Sequence, residues 1–212
     1  MEGFGRKLKN QRKGIKNLNI PNNKIINQAF LLHSQGNIKE AAKYYQIFID
    51  KGFSDARVCA NLGEILRATG NLKEAELLTR EAIKLVPNFI NAHSNLGLIL
   101  KEKGNLKEAE SYTRKAIKLK PDFANAHLHL GNIFRDLGKL QEAEKYTRKA
   151  IEIDPNIFIA YSNLGGILFD LGELEEAEKY ARKAIKINPN FSMANSNLAI
   201  ILLEFGKLEE AE

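Results

Sequence analysis

The stretch "NAHSNLGLILKEKGNLKEAESYTRKAIKLKP", residues 91–121, indicates a repeat architecture because its landmarks recur at an interval of 34 residues. A repeat period of about 20 to 50 residues is typical of stacked supersecondary units. The landmarks are Leu96-Gly97, Gly104, Ala109, Ala116 and Pro121. Their copies are Leu62-Gly63, Leu130-Gly131, Leu164-Gly165 and Leu198-Ala199; Gly70, Gly138, Gly172 and Gly206; Ala75, Ala143, Ala177 and Ala211; Ala82, Ala150 and Ala184; and Pro87, Pro155 and Pro189.

Each unit encodes two helices. The first helix of the quoted unit is expected over residues 91–102, after the proline of the preceding unit, and Gly104 supplies the left-handed conformation that favours a helix end. Asn105 followed by Glu108 predicts a capping box at the start of the second helix. The same pair recurs as Asn71 with Glu74 and Asn37 with Glu40, whereas Lys139, Glu173 and Lys207 hold the cap position in later units. We expect those later helices to start less sharply.

Small residues predict how the helices approach one another. Gly97 and Ala109 fall on facing sides of the two helices of a unit, where a missing side chain lets the backbones come close. One unit cannot bury its own apolar stripe, so stability should come from its neighbours along the array. Glutamate and arginine four residues apart mark a solvated face and contribute a few tenths of a kcal/mol each. These pairs are Glu76 with Arg80, Glu110 with Arg114, Glu144 with Arg148 and Glu178 with Arg182.

This pattern resembles the tetratricopeptide repeat family, and the match covers about residues 56–212. The resemblance implies an all-α fold, a right-handed superhelical solenoid of antiparallel helix pairs. The family's aromatic positions depart from its usual pattern, which we expect to loosen the packing without threatening the fold. They read Cys59, His93, His127, Tyr161 and Asn195 in the first helices, and Thr79, Thr113, Thr147 and Ala181 in the second helices.

The repeat register divides the chain into segments. The complete repeats are residues 56–89, 90–123, 124–157 and 158–191, and residues 192–212 form an incomplete one. Residues 22–55 fit a degenerate first repeat, as expected of a terminal cap. This segment keeps Ala29, Gly36, Ala41 and Tyr45, but it has Gln28-Ala29 in place of Leu-Gly and Phe53 in place of Pro.

The last unit stops barely one turn into its second helix. We therefore expect the apolar face formed by Leu198, Ile201 and Leu202 to be only partly covered. We interpret the sequence as a fragment of a longer protein or a truncated reading of one. Self-association through this uncapped end is a further hypothesis.

Charge is concentrated in a leader of residues 1–21. It holds six of the 32 basic residues and one of the 26 acidic residues, so it accounts for most of the net charge of +6. We interpret it as a solvated, disordered leader, although a basic arm can also contact phosphates, and nucleic-acid binding of that kind would depend steeply on salt. No apolar run is long enough to span a bilayer and the leader has no apolar core of a signal peptide, so a cytoplasmic location is the expectation.

Catalytic motifs are not found in the sequence. The glycines are isolated rather than gathered in a phosphate loop, and neither a nucleophile elbow nor a zinc-protease motif occurs. His127 and His129 point about 200° apart on a helix, so they cannot share a metal ion, and His93 and His127 are interpreted as packing histidines. Cys59 is interpreted as a small buried hydrophobe. We expect a non-catalytic segment without a cofactor.

A row of polar residues lies just off the core of the first helices. With Leu96 at 0° on a helical wheel, the apolar set spans about −60° to +100° and Asn95 falls at about −100°. We call the residues of this register the rungs: Asn61, Asn95, His129, Asn163 and Asn197. Their companions along the same helix edge include Asn91, Asn125, Asn132, Glu102, Asp136, Asp170 and Glu204.

The family resemblance implies that this edge lines the concave groove of the array. An amide carries both a donor and an acceptor, so regular amides could hold an extended chain whatever its sequence. The row is similar to the asparagine ladder in the repeat arm of O-linked N-acetylglucosamine transferases, which binds polypeptide substrates. The carboxylates would favour a ligand with donors or positive charge.

Three hypotheses about the row and the leader remain open. The chain could be an interaction scaffold for protein or peptide, the substrate-recruiting arm of a larger modifying enzyme such as an O-linked glycosyltransferase, or a nucleic-acid binder through its leader. Repeat expansion that merely copied a tolerated asparagine is the alternative to a binding role for the row.

Overall fold

The computed structural model describes residues 21–206, and over that range the chain forms eleven α-helices and no strand. The all-α class predicted from the sequence is confirmed. The expectations for the basic leader fall on residues 1–20, and those for Lys207, Ala211 and the last helix fall on residues 207–212, all outside the described range. The helices are α1 Asn22–Ser34, α2 Ile38–Asp50, α3 Ala56–Ala68, α4 Leu72–Leu85, α5 Ile90–Glu102, α6 Leu106–Leu119, α7 Ala124–Asp136, α8 Leu140–Ile153, α9 Phe158–Asp170, α10 Leu174–Ile187 and α11 Ser192–Glu204.

Two compact units divide these helices, one up to Ala92 and one from His93 onward. The core of the first unit gathers around the fully buried Tyr45, which packs with Ile25 and Leu62. The second unit has a chain of smaller cores, each shared by successive helices. Their buried members include Leu130, Phe134 and Ile167 in one cluster, and Leu164, Leu168, Ala177, Ala181 and Ile201 in the next.

A glycine in the left-handed region ends each first helix. Gly104 has a φ of 81°; its N–H donates to the Lys101 carbonyl at 2.9 Å, and the next N–H, of Asn105, donates to the Leu100 carbonyl at 2.8 Å. These two bonds form a Schellman motif, which satisfies carbonyls that the helix leaves unpaired. The predicted role of the glycines is confirmed. The other glycines of this register are Gly36, Gly70, Gly138, Gly172 and Gly206, with φ from 70° to 82°.

Second helices begin at the same place whatever residue precedes them. Asn71 and Asn105 precede α4 and α6, whereas Lys139 and Glu173 precede α8 and α10, and in all four cases the helix begins at the next leucine. None of these side chains caps its helix; the Asn71 amide instead donates to the Glu74 carboxylate at 2.8 Å. The expectations of a capping box and of blurred later starts are therefore wrong. The preceding Schellman motif already fixes the backbone, so the cap side chain has little left to decide.

The close approach of paired helices depends on glycine facing threonine. Gly97 lies against the Thr113 hydroxyl, and a Cβ added at Gly97 would also lie 3.1 Å from the Ala109 carbonyl. The Thr113 hydroxyl donates to that carbonyl at 2.8 Å, so this fully buried polar group is satisfied. The predicted contact between Gly97 and Ala109 is confirmed, and the same arrangement recurs at Gly63 with Thr79 and at Gly131 with Thr147.

Tyrosines one residue before the threonine register supply aromatic packing in place of the family's usual aromatic residues. Tyr112 stacks on His93 with ring centroids 5.8 Å apart, and Tyr146 stacks on His127 at 6.0 Å. In the repeat of residues 158–191, Tyr180 stacks on Tyr161 with ring centroids 6.2 Å apart. The expected loosening is therefore not seen at these positions, because the aromatic ring enters from the neighbouring register.

The expectation that the apolar face of α11 is only partly covered is wrong for Ile201 and Leu202. Ile201 and Leu202 of α11 are each only 1% exposed, and Leu198 is half-buried; Ile201 packs in one cluster with Leu164 and Ala177 of the preceding helix pair. The exposed apolar residues of α11 lie instead at Met193, Ile200 and Leu203, which are 53%, 51% and 53% exposed.

Candidate functional site

The rung residues lie at the boundary between core and solvent. Asn61, Asn95, His129, Asn163 and Asn197 are all half-buried, and the leucine that follows each of the first four is fully or almost fully buried. A half-buried side chain is held by its neighbours and still presents polar atoms to a ligand. The geometry therefore suits a polar contact surface.

Two rungs of the second unit bond to the preceding repeat. The Asn163 amide donates to the Asn132 side-chain oxygen at 2.8 Å. The Asn197 amide lies 3.1 Å from both the hydroxyl and the backbone carbonyl of Ser162. Each of these hydrogen bonds joins residues more than 30 positions apart, so it ties one repeat to the next.

His129 bonds to the preceding repeat through Ser94, which occupies the same repeat position as Ser162. Its Nδ1 lies 2.9 Å from the hydroxyl of Ser94, and the direction of this hydrogen bond depends on the tautomer of the ring. Ser94 and Ser162 are equivalent residues two repeats apart. Sequence reasoning missed both serines, although a serine directly before the rung in "AHSNLG" and "AYSNLG" is a signal that could have found them.

In the first unit, the rung bonds to a buried tyrosine. The Asn61 amide donates to the Tyr45 hydroxyl at 3.1 Å, and the His33 Nδ1 lies 3.0 Å from the same oxygen. Burial raises the pKa of Tyr45, against a smaller opposite effect of the hydrogen bond from Asn61. The hydroxyl therefore stays protonated and links the two polar side chains.

Two of the predicted carboxylates are already paired with cations. Asp136 lies 3.0 Å from the Lys101 ammonium, and Asp170 lies 2.7 Å from the Arg135 guanidinium. Lys101 and Arg135 are equivalent residues in successive repeats, as are the two aspartates. The row consequently carries less uncompensated negative charge at these two places than the sequence indicated.

The other predicted companions are exposed on the same helices. Asn91, Asn125, Glu102 and Glu204 are exposed, while Asn132 is half-buried and accepts the bond from Asn163. Apolar side chains also lie in this row toward the end of the described range: Ile159, Met193 and Ile200 are 40%, 53% and 51% exposed. Amide side chains of the row are therefore joined by exposed apolar side chains in α9 and α11.

Within residues 21–206, no three His, Cys, Asp or Glu side chains come together as a metal site, and no helix there has the length and apolar content that crossing a membrane requires. Cys59 is buried, and burial raises the pKa of its thiol.

These features define a class: an all-α helical repeat protein with two helices in each unit. Family models described as tetratricopeptide repeat match residues 56–89, 90–123, 122–190 and 180–212. Together the matches cover residues 56–212, and the chain belongs to the tetratricopeptide repeat family. Tetratricopeptide repeats form scaffolds for protein interaction.

Solved structures share this fold at low sequence identity. A thermophilic tetratricopeptide repeat protein of Thermus thermophilus, TTC0263, superposes with a TM-score of 0.72 at 20% identity, covering 86% of this chain and 100% of that one. PilF of Pseudomonas aeruginosa gives 0.72 at 18% identity, covering 90% and 86%. YrrB, described as a tetratricopeptide repeat protein with an unusual peptide-binding site, gives 0.60 at 24% identity, covering 93% and 97%. No curated protein sequence matches the chain.

Proposed function

We propose that this protein is a non-catalytic scaffold that binds an extended polypeptide along its rung face. The rung face is the side of α5, α7, α9 and α11 that carries Asn95, His129, Asn163 and Asn197. The carrying observation is that these side chains are half-buried and that three of them, His129, Asn163 and Asn197, are held by hydrogen bonds between repeats. The similar fold of YrrB, which is described as having a peptide-binding site, supports a peptide as the ligand.

The amide group suits this ligand because it matches both backbone groups of a peptide. Asn163 has two N–H donors and an oxygen acceptor, and its bond to Asn132 uses only one donor. A peptide backbone likewise offers one donor and one acceptor at each residue except proline. Recognition of this kind reads the backbone and is tolerant of side-chain sequence.

Ordering of the rungs before binding favours affinity. Long polar side chains lose rotamer freedom when they grip a ligand, at about 0.5–1.5 kcal/mol each. The bonds from Asn163 to Asn132 and from Asn197 to Ser162 restrict those side chains already in the free protein. A ligand therefore meets donors and acceptors that are preorganised.

The spacing of the repeats sets how a peptide would match the rungs. Packed helices lie about 8–10 Å apart, and an extended chain advances about 3.3 Å per residue. About three peptide residues would therefore pass each repeat, so contacts with the rungs should recur at every third residue of the ligand.

The test measures the affinity of the unchanged protein and of two double variants for labelled, unstructured peptides. The peptides have about twelve residues, the length that passes four rungs at this spacing. Replacing Asn95 and Asn163 together by Ala removes two rungs, and we expect affinity to fall about thirtyfold because two hydrogen bonds at about 1 kcal/mol each are lost. The matched control replaces Asn156 and Asn190, exposed amides in the turns before α9 and α11, by Ala and should leave affinity unchanged. Equal affinity for all three proteins would show that the rungs do not contact the peptide.

A further inference from the structure

We propose that the rung face contains a pocket for one uncharged apolar side chain of the bound polypeptide, at the contact of α9 with α11. This inference rests on the proposed function and adds a preference to an otherwise sequence-tolerant surface. The pocket is a cleft of about 140 Å³. Its lining residues are Arg135, Gly166, Phe169, Asp170, Asn197, Ile200 and Ile201.

Part of the wall of the cleft is apolar, and the size of the cleft fits a side chain. Phe169, Ile200 and Ile201 supply the apolar surface, and Gly166 contributes no side chain of its own. Ile200 is 51% exposed, whereas the adjacent Ile201 is only 1% exposed and belongs to the core. A cavity of about 150 Å³ lined by apolar residues accommodates benzene, so a leucine or phenylalanine side chain is of suitable size.

The residue type changes at two repeat positions where the cleft lies, those of Phe169 and Ile200. The register of Lys101 and Arg135 continues with Phe169, and the register of Leu98, Asn132 and Gly166 continues with Ile200. One repeat earlier, the Arg135 guanidinium occupies the space beside Gly166: a Cβ added there would lie 2.9 Å from an arginine Nη, and the Gly166 carbonyl lies 3.4 Å from the other. One repeat later, the phenyl ring of Phe169 replaces the cation and Ile200 replaces the glycine, so apolar groups line one part of the cleft and polar groups line the rest.

Charge at the rim favours an uncharged occupant. The Arg135 Nε donates to the Asp170 carboxylate at 2.7 Å, so the two charged groups of the cleft compensate each other. A charged side chain entering the cleft would lose hydration against an apolar wall without gaining an unpaired partner. An aliphatic or aromatic side chain loses no such hydration.

Asn197 connects the pocket to the rungs. It lines the cleft and lies three residues before Ile200, which is about one helical turn. Its amide can bond the backbone of the residue whose side chain enters the cleft. A cleft that holds one side chain offers far less area than the roughly 800 Å² per partner of a stable protein interface, so we assign it to a peptide rather than to a second copy of this chain.

The experiment compares host peptides of Ser, Thr and Gln that carry one central Leu, Lys or Ser. The Leu peptide should bind about tenfold tighter than the Ser peptide, because burying a leucine side chain is worth at least this factor, and the Lys peptide should gain nothing. Ile200→Ser should abolish the gain. Leu203→Ser is the matched control, since Leu203 is 53% exposed on the same helix and does not line the cleft, so the gain should persist.

The outcomes separate this inference from the proposed function. Equal binding of the Leu and Ser peptides, or a Leu gain that survives Ile200→Ser, overturns the pocket and leaves the rungs in place. Leu-dependent binding that Ile200→Ser removes but the Asn95 and Asn163 double variant retains supports the pocket and contradicts the rungs. Absence of binding by every peptide overturns both. A dimer in sedimentation that Ile200→Ser dissociates assigns the cleft to a second copy of the chain and overturns the peptide assignment.

Discussion

At the scale of single residues, the period of the sequence located the rungs but not their partners. Asn95 and its copies were placed beside the buried leucines by helical geometry alone. The partners Asn132 and Ser162 lie 31 and 35 positions from the rungs they bond, and only the stacking of repeats brings them together. The same holds for the ion pair of Arg135 with Asp170, which offsets a charge that the sequence left uncompensated.

The contact between Gly97 and Thr113 predicts how a substitution at Gly97 changes stability. Gly97→Ala should lower the free energy of unfolding by about 1–3 kcal/mol, because the new methyl group overlaps the Thr113 hydroxyl in a packed core. Gly165→Ala should cost less, since Ala181 stands in place of the threonine and its Cβ would lie 3.6 Å from the new methyl. Urea unfolding of both variants measures the difference.

A double variant shows whether overlap with Thr113 causes the loss of stability in Gly97→Ala. Thr113→Ala should restore part of the stability that Gly97→Ala removes, with a coupling of about 1 kcal/mol between these contacting residues. Equal losses at Gly97 and Gly165, or additive losses at Gly97 and Thr113, would contradict the packing described here.

At the scale of elements, helix identity followed from the sequence and helix starts did not. The positions of the glycines fixed where first helices end, as Gly104 shows. The capping-box pattern at Asn71 suggested that side chains fix the second helices, yet α8 starts equally well after Lys139. Backbone bonds across the glycine turn set the start, and a side-chain pattern does not report them.

The second helices are also joined by a charged clasp. The Arg148 guanidinium bonds Glu144 in its own helix α8, and reaches Glu176 at 2.7 Å and the Tyr180 hydroxyl at 2.7 Å in the next repeat. Burial alone would lower the pKa of Arg148, but the bonds to the two glutamates raise it overall. The hydrogen bond from Arg148 is the main reason that the pKa of Glu176 is lowered.

The clasp predicts an acid-dependent loss of stability. A carboxyl whose pKa is lower in the folded state adds stability above its unfolded pKa, about 4.3 for Glu, and loses it as the pH falls through the folded value. Glu176→Gln should therefore lower the melting temperature more at pH 7 than at pH 3. The neighbouring exposed Glu175→Gln is the control. A Glu176→Gln effect that is equal at both pH values would show that the ion pair does not contribute.

At the scale of the whole molecule, the 34-residue period predicted the all-α helical repeat and its family, because the Leu-Gly, Gly, Ala and Pro landmarks recur in each complete repeat. What the period could not predict is where the repeats differ. Phe169 stands where Lys101 and Arg135 stand in earlier repeats, Ile200 stands where Asn132 and Gly166 stand, and both residues line the cleft at the contact of α9 with α11.

The most direct test of the central claim observes the rung amides themselves. Asparagine side-chain NH₂ signals are recorded by NMR in the isotope-labelled protein while an unstructured peptide that binds it is added. We predict that the signals of Asn95, Asn163 and Asn197 shift with the peptide, while those of Asn105 and Asn156, exposed amides in turns, stay in place. Binding that shifts the turn amides and leaves the three rung amides unmoved would contradict the account.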